Sequence, residues 1–183
     1  MRARLSVIVT CRNGQAHLGA CAAALFEAVQ LGLLRELILA DGGSSDDTPL
    51  IAEELGAEVV SASGGRGAWA ARGAEAAQGD WLLFLPVESI PEPGWAEAVI
   101  AHLGESAPAV FAPETGGLTG SLRRMLGGVA PERGLLIRAG DYARAGGLSD
   151  VERPERALLR ALGAKPKVLE ARLSRRAERV AAT

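Results

Sequence analysis

Residues 36–48, ELILADGGSSDDT, join a short apolar run to a turn and to the first residues of a helix. The run at residues 36–40 has the length and the apolar character of a buried strand. The glycines and serines that follow favour a tight turn, and Asp46 or Asp47 is suited to cap a helix that begins near Thr48. This stretch therefore predicts the order strand, turn, helix.

The same order repeats on both sides of this stretch. Apolar runs at residues 5–10, 57–63 and 81–85 alternate with alanine-rich segments of helical composition. Parallel strands need crossover connections between them, and strands that are covered on both faces are apolar throughout. The alternation predicts an α/β fold, a three-layer sandwich with a mostly parallel central sheet. A length of 183 residues predicts that it forms a single domain.

The second part of the chain has a looser pattern. We expect strands at residues 107–113 and 134–140, a helix at residues 154–163, and an edge strand at residues 167–173. Residues 115–128 are rich in glycine and are expected to form a loop that holds a short helix.

The composition is ordinary for a soluble globular protein, with 48% hydrophobic and 23% charged residues and a formal net charge of −2. Such a small net charge argues against a nucleic-acid partner. Cys11 and Cys21 fit no metal or redox spacing, which indicates free thiols in a reducing compartment, the cytoplasm. The first apolar run is only long enough for a strand, so we expect neither a signal peptide nor a membrane span, and at most peripheral membrane contact.

Ligands of open parallel sheets bind at the carboxyl ends of the strands. The loops at that edge read TCRNG at residues 10–14, DGGSSDD at 41–47 and PVESIPEPGW at 86–95. Asp41 offers a carboxylate beside two glycines whose backbone a nucleotide could approach closely. The alternative is that Asp41 only stabilises its own turn.

The order and spacing of these pieces resemble the nucleotide-binding half of family-two glycosyltransferases of the GT-A type. The similarity is carried by LSVIVTCRN, ELILADGGSSDDT, the segment from GAEVVSA through GGRGAWAARGAEAAQGDWLLFL, and PEPGW. It covers roughly residues 5–103 and returns more weakly from about residue 134. The resemblance implies a nucleotide-sugar-binding half at residues 1–103 and a reduced acceptor-side half at residues 104–183. It also implies transfer of a sugar from a nucleoside-diphosphate sugar to an unknown acceptor.

The resemblance assigns several residues to the nucleotide-sugar. The first loop of the family lines the base pocket, and the corresponding residues are Thr10, Cys11, Arg12 and Asn13. The aspartate after the second strand contacts the nucleobase in the family, and here it is Asp41. The arginine of the Gly-Arg turn after the third strand is expected near the nucleotide, and here it is Arg66.

The fourth strand of the family normally ends in an Asp-x-Asp motif whose last acid binds a divalent cation. Here those positions are Pro86, Val87 and Glu88, so the resemblance leaves Glu88 as the one metal ligand. A magnesium or manganese ion can be held by a single protein carboxylate together with phosphate oxygens and waters. The alternative is that Glu88 is a solvated loop acid.

An inverting transfer needs a general base that takes the proton of the acceptor hydroxyl. The family places this acid in a Glu-Asp motif before a late helix. The matching region here is GGLSDVERPERALLRALG at residues 146–163, where Glu152 is the candidate base and Asp150 the next candidate. The alternative is that these acids form the solvated entrance of a helix.

Other departures leave three hypotheses open, the first of which is a different donor. Ala71 replaces an asparagine of the family, and Arg12 replaces a small or aromatic residue. The phosphates could instead be held without a cation by Arg12, Arg66 or the arginine pair at 123–124. The chain could also be a degenerate module that binds a nucleotide-sugar without transferring it. A homodimer is a further expectation.

Overall fold

The computed structural model describes residues 4–113 and 130–175, which form eight strands, six α-helices and one 3₁₀ turn at Pro131–Arg133. The strands are β1 (Leu5–Cys11), β2 (Leu34–Asp41), β3 (Glu58–Ser61), β4 (Trp81–Pro86), β5 (Ser89–Pro91), β6 (Ala109–Ala112), β7 (Leu135–Arg138) and β8 (Lys167–Arg175). The helices are α1 (Gln15–Gln30), α2 (Thr48–Glu54), α3 (Arg66–Ala76), α4 (Trp95–His102), α5 (Ala139–Arg144) and α6 (Pro154–Leu162).

The eight strands form one sheet in the order β3-β2-β1-β4-β7-β6-β8-β5. The first four run parallel to one another, whereas β7 is antiparallel to both β4 and β6. The early strand β5 pairs with the late strand β8 at the far edge. Since the two parts of the chain share one sheet, the prediction of a single α/β domain is confirmed.

Helices cover both faces of this sheet, as the strand alternation requires. Val7 and Val9 of β1 pack in a cluster with residues of α1, α2 and α4. Ile8, between them, points to the opposite face and packs in a cluster with residues of α3 and α6. The period of two residues in a strand therefore separates two apolar layers, and the predicted three-layer sandwich is confirmed.

Two local predictions are wrong, and one strand was not predicted. The last strand is not at the edge, because β8 lies between β6 and the three-residue strand β5. Strand β5 itself was not predicted, since Ser89–Pro91 lies among prolines that suggest a loop. The strand predicted at 134–140 ends at Arg138, where α5 begins. The predicted loop at 115–128, with the arginine pair at 123–124, lies outside the described residues.

Two tryptophans anchor the core. The side chains of Trp81 and Trp95 are fully buried. The indole N–H of Trp95 donates to the carbonyl of Ala24 at 3.0 Å, which ties α4 to α1. None of the helices in the described ranges is long and apolar enough to cross a membrane.

We expect Trp95→Ala to lower the free energy of unfolding by about 3–5 kcal/mol, because it leaves a large cavity and removes the hydrogen bond between α4 and α1. Urea unfolding followed by circular dichroism measures the change. Leu50→Ala is the control, since Leu50 is 57% exposed and its truncation should change stability by less than about 0.5 kcal/mol. Equal losses in the two variants would contradict the assignment of Trp95 to the core.

Candidate functional site

The carboxyl ends of β1, β2 and β4 meet at one edge of the sheet. Cys11 at the end of β1 is in register with Asp41 of β2, and Thr10 is in register with Pro86 of β4. The three loops that the sequence singled out therefore lie side by side, as expected from parallel pairing.

Hydrogen bonds join the first loop to the second. The Asn13 N–H donates to Ser44 Oγ at 2.8 Å, and Asn13 Oδ1 accepts from the Ser45 N–H at 2.8 Å. Asn13 has a left-handed backbone with φ of 53°, which asparagine tolerates better than most residues. The Gly14 N–H donates to Thr48 Oγ1 at 2.9 Å. These contacts make the two loops one unit.

Asp41 is buried beneath this unit, with 5% of its surface exposed. Its carboxylate accepts hydrogen bonds from the Gly43 N–H, the Ser44 N–H and the Ser44 hydroxyl. Asp41 therefore stabilises its own turn. A carboxylate has about four lone-pair sites, so three donors leave room for one further donor.

Thr10 and Cys11 end β1 on opposite faces of the sheet. Thr10 is 4% exposed, and its hydroxyl oxygen has no hydrogen-bond partner among the described residues. Burial, followed by the negative charges of Glu88 and Asp41, raises the pKa of the Cys11 thiol to about 12. Arg12 lies beyond them, exposed to solvent. Of these three residues, only Arg12 presents its side chain freely to solvent.

Glu88 is exposed at the end of β4, between the buried residues Val87 and Ser89. The Val87 N–H donates to the Thr10 carbonyl at 3.1 Å, so the backbone stays tied to β1 beyond Pro86. Within the described residues the Glu88 carboxylate makes no hydrogen bond or ion pair. Its charge and that of Asp41 nevertheless act on the same thiol, which makes this edge acidic.

Arg66 begins α3 and points toward α6. Its two terminal nitrogens donate to the two carboxylate oxygens of Glu155, one of them at 2.8 Å. The side chain of Glu155 is 2% exposed and that of Arg66 is 32% exposed. Sequence reasoning missed Glu155, although a signal was present. Glu155 precedes the buried Leu158 and Leu159 by three and four residues, the spacing that places side chains on one helix face.

The two candidate bases differ in their surroundings. Both oxygens of Asp150 accept the Gly65 N–H, at 3.0 and 2.9 Å. The side chain of Glu152 is 91% exposed, with one oxygen 3.8 Å from Nε of Arg153. Asp150 is thus committed to the turn before α3, whereas Glu152 has a solvated carboxylate.

The sequence profile described as "Glycosyl transferase family 2" matches residues 6–127, two thirds of the chain. This chain belongs to glycosyl transferase family 2. The family assignment confirms the resemblance found in the sequence motifs, and the matched range includes all three loops at the carboxyl edge.

Solved structures share the fold of this family member. Glucosyl-3-phosphoglycerate synthase from Mycobacterium tuberculosis, in complex with Mn²⁺, UDP and glucosyl-3-phosphoglycerate, is 23% identical, with a TM-score of 0.72 over 96% of this chain and 72% of that one. The same synthase with Mn²⁺ and UDP-glucose gives a TM-score of 0.71 over 97% of this chain and 73% of that one, at 23% identity. S. aureus TarS 1-349 is 15% identical, with a TM-score of 0.72 over 91% of this chain and 57% of that one. No curated protein sequence matches the chain significantly.

Asp150 and Glu155 lie outside the range matched by the family profile, yet both contact the turn at residues 64–66. The contact is close, because a Cβ on Gly67 would lie 2.1 Å from the carbonyl oxygen of Ser149. The late part of this family member therefore packs directly on the start of α3.

We expect Gly67→Ala to destabilise the protein by about 1–3 kcal/mol, because the new methyl group meets a backbone oxygen that cannot rotate away. Thermal unfolding measures the loss. Gly19→Ala is the matched control, since Gly19 lies in α1 with open space around it and should become up to about 1 kcal/mol more stable. A stabilised Gly67→Ala variant would show that the contact is loose.

We expect the Cys11 thiol to react with iodoacetamide at pH 8 at least about 100-fold more slowly in the folded protein than in guanidinium, because only the thiolate reacts. The variant Cys21→Ala leaves Cys11 as the reporter. Since folding raises this pKa from 9.0 to about 12, the thiol contributes stability below pH 9 that is lost as the pH rises toward 12. Equal rates in the folded and unfolded states would contradict this burial.

Proposed function

We propose that this member of glycosyl transferase family 2 is a glycosyltransferase that transfers a sugar from a nucleoside-diphosphate sugar to a hydroxyl group of an acceptor. The observation that carries the proposal is the acidic edge where the loops after β1, β2 and β4 converge, with the unpaired Glu88 at its rim. The reaction class, glycosyl transfer, is inferred from the family. In this proposal, residues 1–103 bind the donor and residues 104–183 form a reduced acceptor side.

The donor nucleotide would lie on the joined first and second loops. Asp41 keeps one lone-pair site for a base N–H, and the unpartnered Thr10 hydroxyl near the end of β1 is a further polar group. Cys11 contributes backbone rather than a reactive side chain, because its thiol is buried and protonated. Arg12 and Asn13 are exposed at the rim, where a ligand can reach them.

A divalent cation fits the residues present at Glu88. The described residues contain no cluster of three or more His, Cys, Asp or Glu side chains that could hold a metal alone, so donor phosphates and waters would complete the shell. Glu88 is exposed and unpaired among the described residues, and neighbouring acids favour a cation at this edge. When bound, the cation would stabilise the charge on the leaving diphosphate.

The transfer exchanges one bond for another. The bond between the anomeric carbon and the diphosphate oxygen breaks, and a bond to the acceptor oxygen forms. In an inverting reaction the acceptor proton passes to a carboxylate, for which we propose Glu152. Glu155 is buried against Arg66 and both oxygens of Asp150 accept the Gly65 N–H, whereas the Glu152 carboxylate is exposed and accepts no such backbone hydrogen bond.

We further propose that the protein acts in the cytoplasm, in line with its two free cysteines, both of them buried. A homodimer and peripheral membrane contact remain proposals. UDP-glucose is the first donor to test, because the synthase that shares this fold was solved with it.

We expect UDP or GDP to bind in the presence of Mn²⁺ and to raise the unfolding temperature. Glu88→Gln should weaken the Mn²⁺-dependent affinity by about tenfold or more, because it removes the protein charge that holds the cation. Asp41→Ala should abolish binding, since it also releases the second loop. Isothermal titration calorimetry measures both effects.

Glu97→Gln is the control, since Glu97 is an exposed acid of α4. If Glu88→Gln keeps the Mn²⁺-dependent affinity of the wild type, Glu88 does not bind the cation. Release of nucleoside diphosphate from UDP-glucose or a GDP-sugar, lost in Glu152→Gln, would identify a transferase. Binding without release for every acceptor would identify the binding-only module instead.

A further inference from the structure

The ion pair between Arg66 and Glu155 fixes the orientation of the Arg66 side chain. Two parallel N–H···O bonds between a guanidinium and a carboxylate define the plane of both groups. Glu155 is almost fully buried, and a buried carboxylate without its partner is costly. Because both terminal nitrogens of Arg66 are used, its side chain is held toward α6.

Asp150 sits directly on the same turn. A Cβ on Gly64 would lie 2.8 Å from one carboxylate oxygen of Asp150, and a Cβ on Gly65 would lie 2.4 Å from the other. Gly64 also has a left-handed backbone, with φ of 88°. The backbone of Gly64 favours glycine, and a side chain at either position would displace the Asp150 carboxylate.

A chain of contacts leads from this turn to the second loop. The indole N–H of Trp69 donates to the Gly64 carbonyl at 2.9 Å. The Trp69 ring lies against Gly42, where an added Cβ would be 2.2 Å from it. Gly42 directly follows Asp41. The conformation of the turn is thus connected to the loop to which we assign the donor nucleobase.

We propose that Asp150 and Glu155 are positioning residues that hold the turn at residues 64–66, and through Trp69 the second loop, in the conformation that binds the donor nucleotide. The proposal rests on the proposed function, since it takes the second loop as the donor site. It assigns to the late part of the chain a role in donor binding, besides the acceptor side.

The same contacts argue against two other roles. Glu155 is sealed from solvent and bonded to Arg66, so it cannot take a proton from an acceptor hydroxyl. Arg66 is neutralised by Glu155, so it does not offer a free charge to a diphosphate. Were Arg66 a phosphate clamp restrained by Glu155, removing the Glu155 charge would tighten nucleotide binding. A positioning role predicts the opposite effect, namely weaker nucleotide binding.

The test compares Glu155→Gln and Asp150→Ala with the wild type. Glu155→Gln keeps the shape and one acceptor but removes the charge and the second bond. Glu75→Gln is the matched control, because Glu75 pairs with Arg72 on the exposed face of the same helix α3. Affinities for UDP and GDP with Mn²⁺ are measured by calorimetry. Exchange of the Gly65 amide and the Trp69 indole hydrogen is measured by NMR in the ligand-free proteins.

We expect Glu155→Gln and Asp150→Ala to bind the nucleotide about tenfold more weakly than the wild type at a temperature where all are folded. We also expect faster exchange at Gly65 and Trp69, with Glu75→Gln unchanged in both measurements. A merely structural role would lower the unfolding temperature and leave the affinity of the folded protein intact. If Glu155→Gln does not fold, Asp150→Ala carries the test, since it leaves the buried pair in place.

Unchanged or tighter nucleotide binding in the folded variants would overturn the proposal. If the wild type binds neither UDP nor GDP, the donor assignment fails, and the exchange data decide whether the turn is held. Faster exchange at Gly65 and Trp69 in Glu155→Gln would then support the positioning role, and exchange equal to the wild type would overturn it.

Discussion

The parallel pairing of β1 with β2 on one side and β4 on the other is the constraint on which the remaining structure depends. It places Cys11 opposite Asp41 and Thr10 opposite Pro86, so three loops that are distant in sequence end at one edge. Everything assigned to the donor follows from this register. A slip by one residue would turn the buried Asp41 carboxylate to the other face of the sheet and separate it from the turn that it stabilises.

A second constraint acts across the two parts of the chain. Strand β7 pairs with β4, and β5 pairs with β8. Asp150, before α6, and Glu155, in its first turn, contact Gly65 and Arg66 at the start of α3. The part that carries most of the family motifs is therefore completed by the part that carries few of them. The acidic residues at 150, 152 and 155 differ in the contacts they make. Asp150 holds the Gly65 backbone and Glu155 holds Arg66. Glu152 remains solvated, where an acceptor could reach it.

Much of the fold could be read from local pattern. The apolar runs and the turn residues located β1 to β4 and their helices, because a covered parallel strand has no polar face and a helix start has a recognisable composition. Strand β5 could not be found this way. Its three residues lie among prolines, and it exists only because the edge of β8 accepts it. For the same reason β8 was taken for an edge strand.

The sequence by itself determined the fold class, the family, and the loops at the carboxyl edge, since these depend on periodicity and on the order of short motifs. It also singled out Glu88 as the metal-ligand candidate, since the order of the motifs alone places it at the Asp-x-Asp position of the family. Only the tertiary structure decided which acids are free and which are paired. Arg66 and Glu155 are 89 residues apart, and the burial that makes their ion pair matter is a property of packed layers rather than of any local pattern.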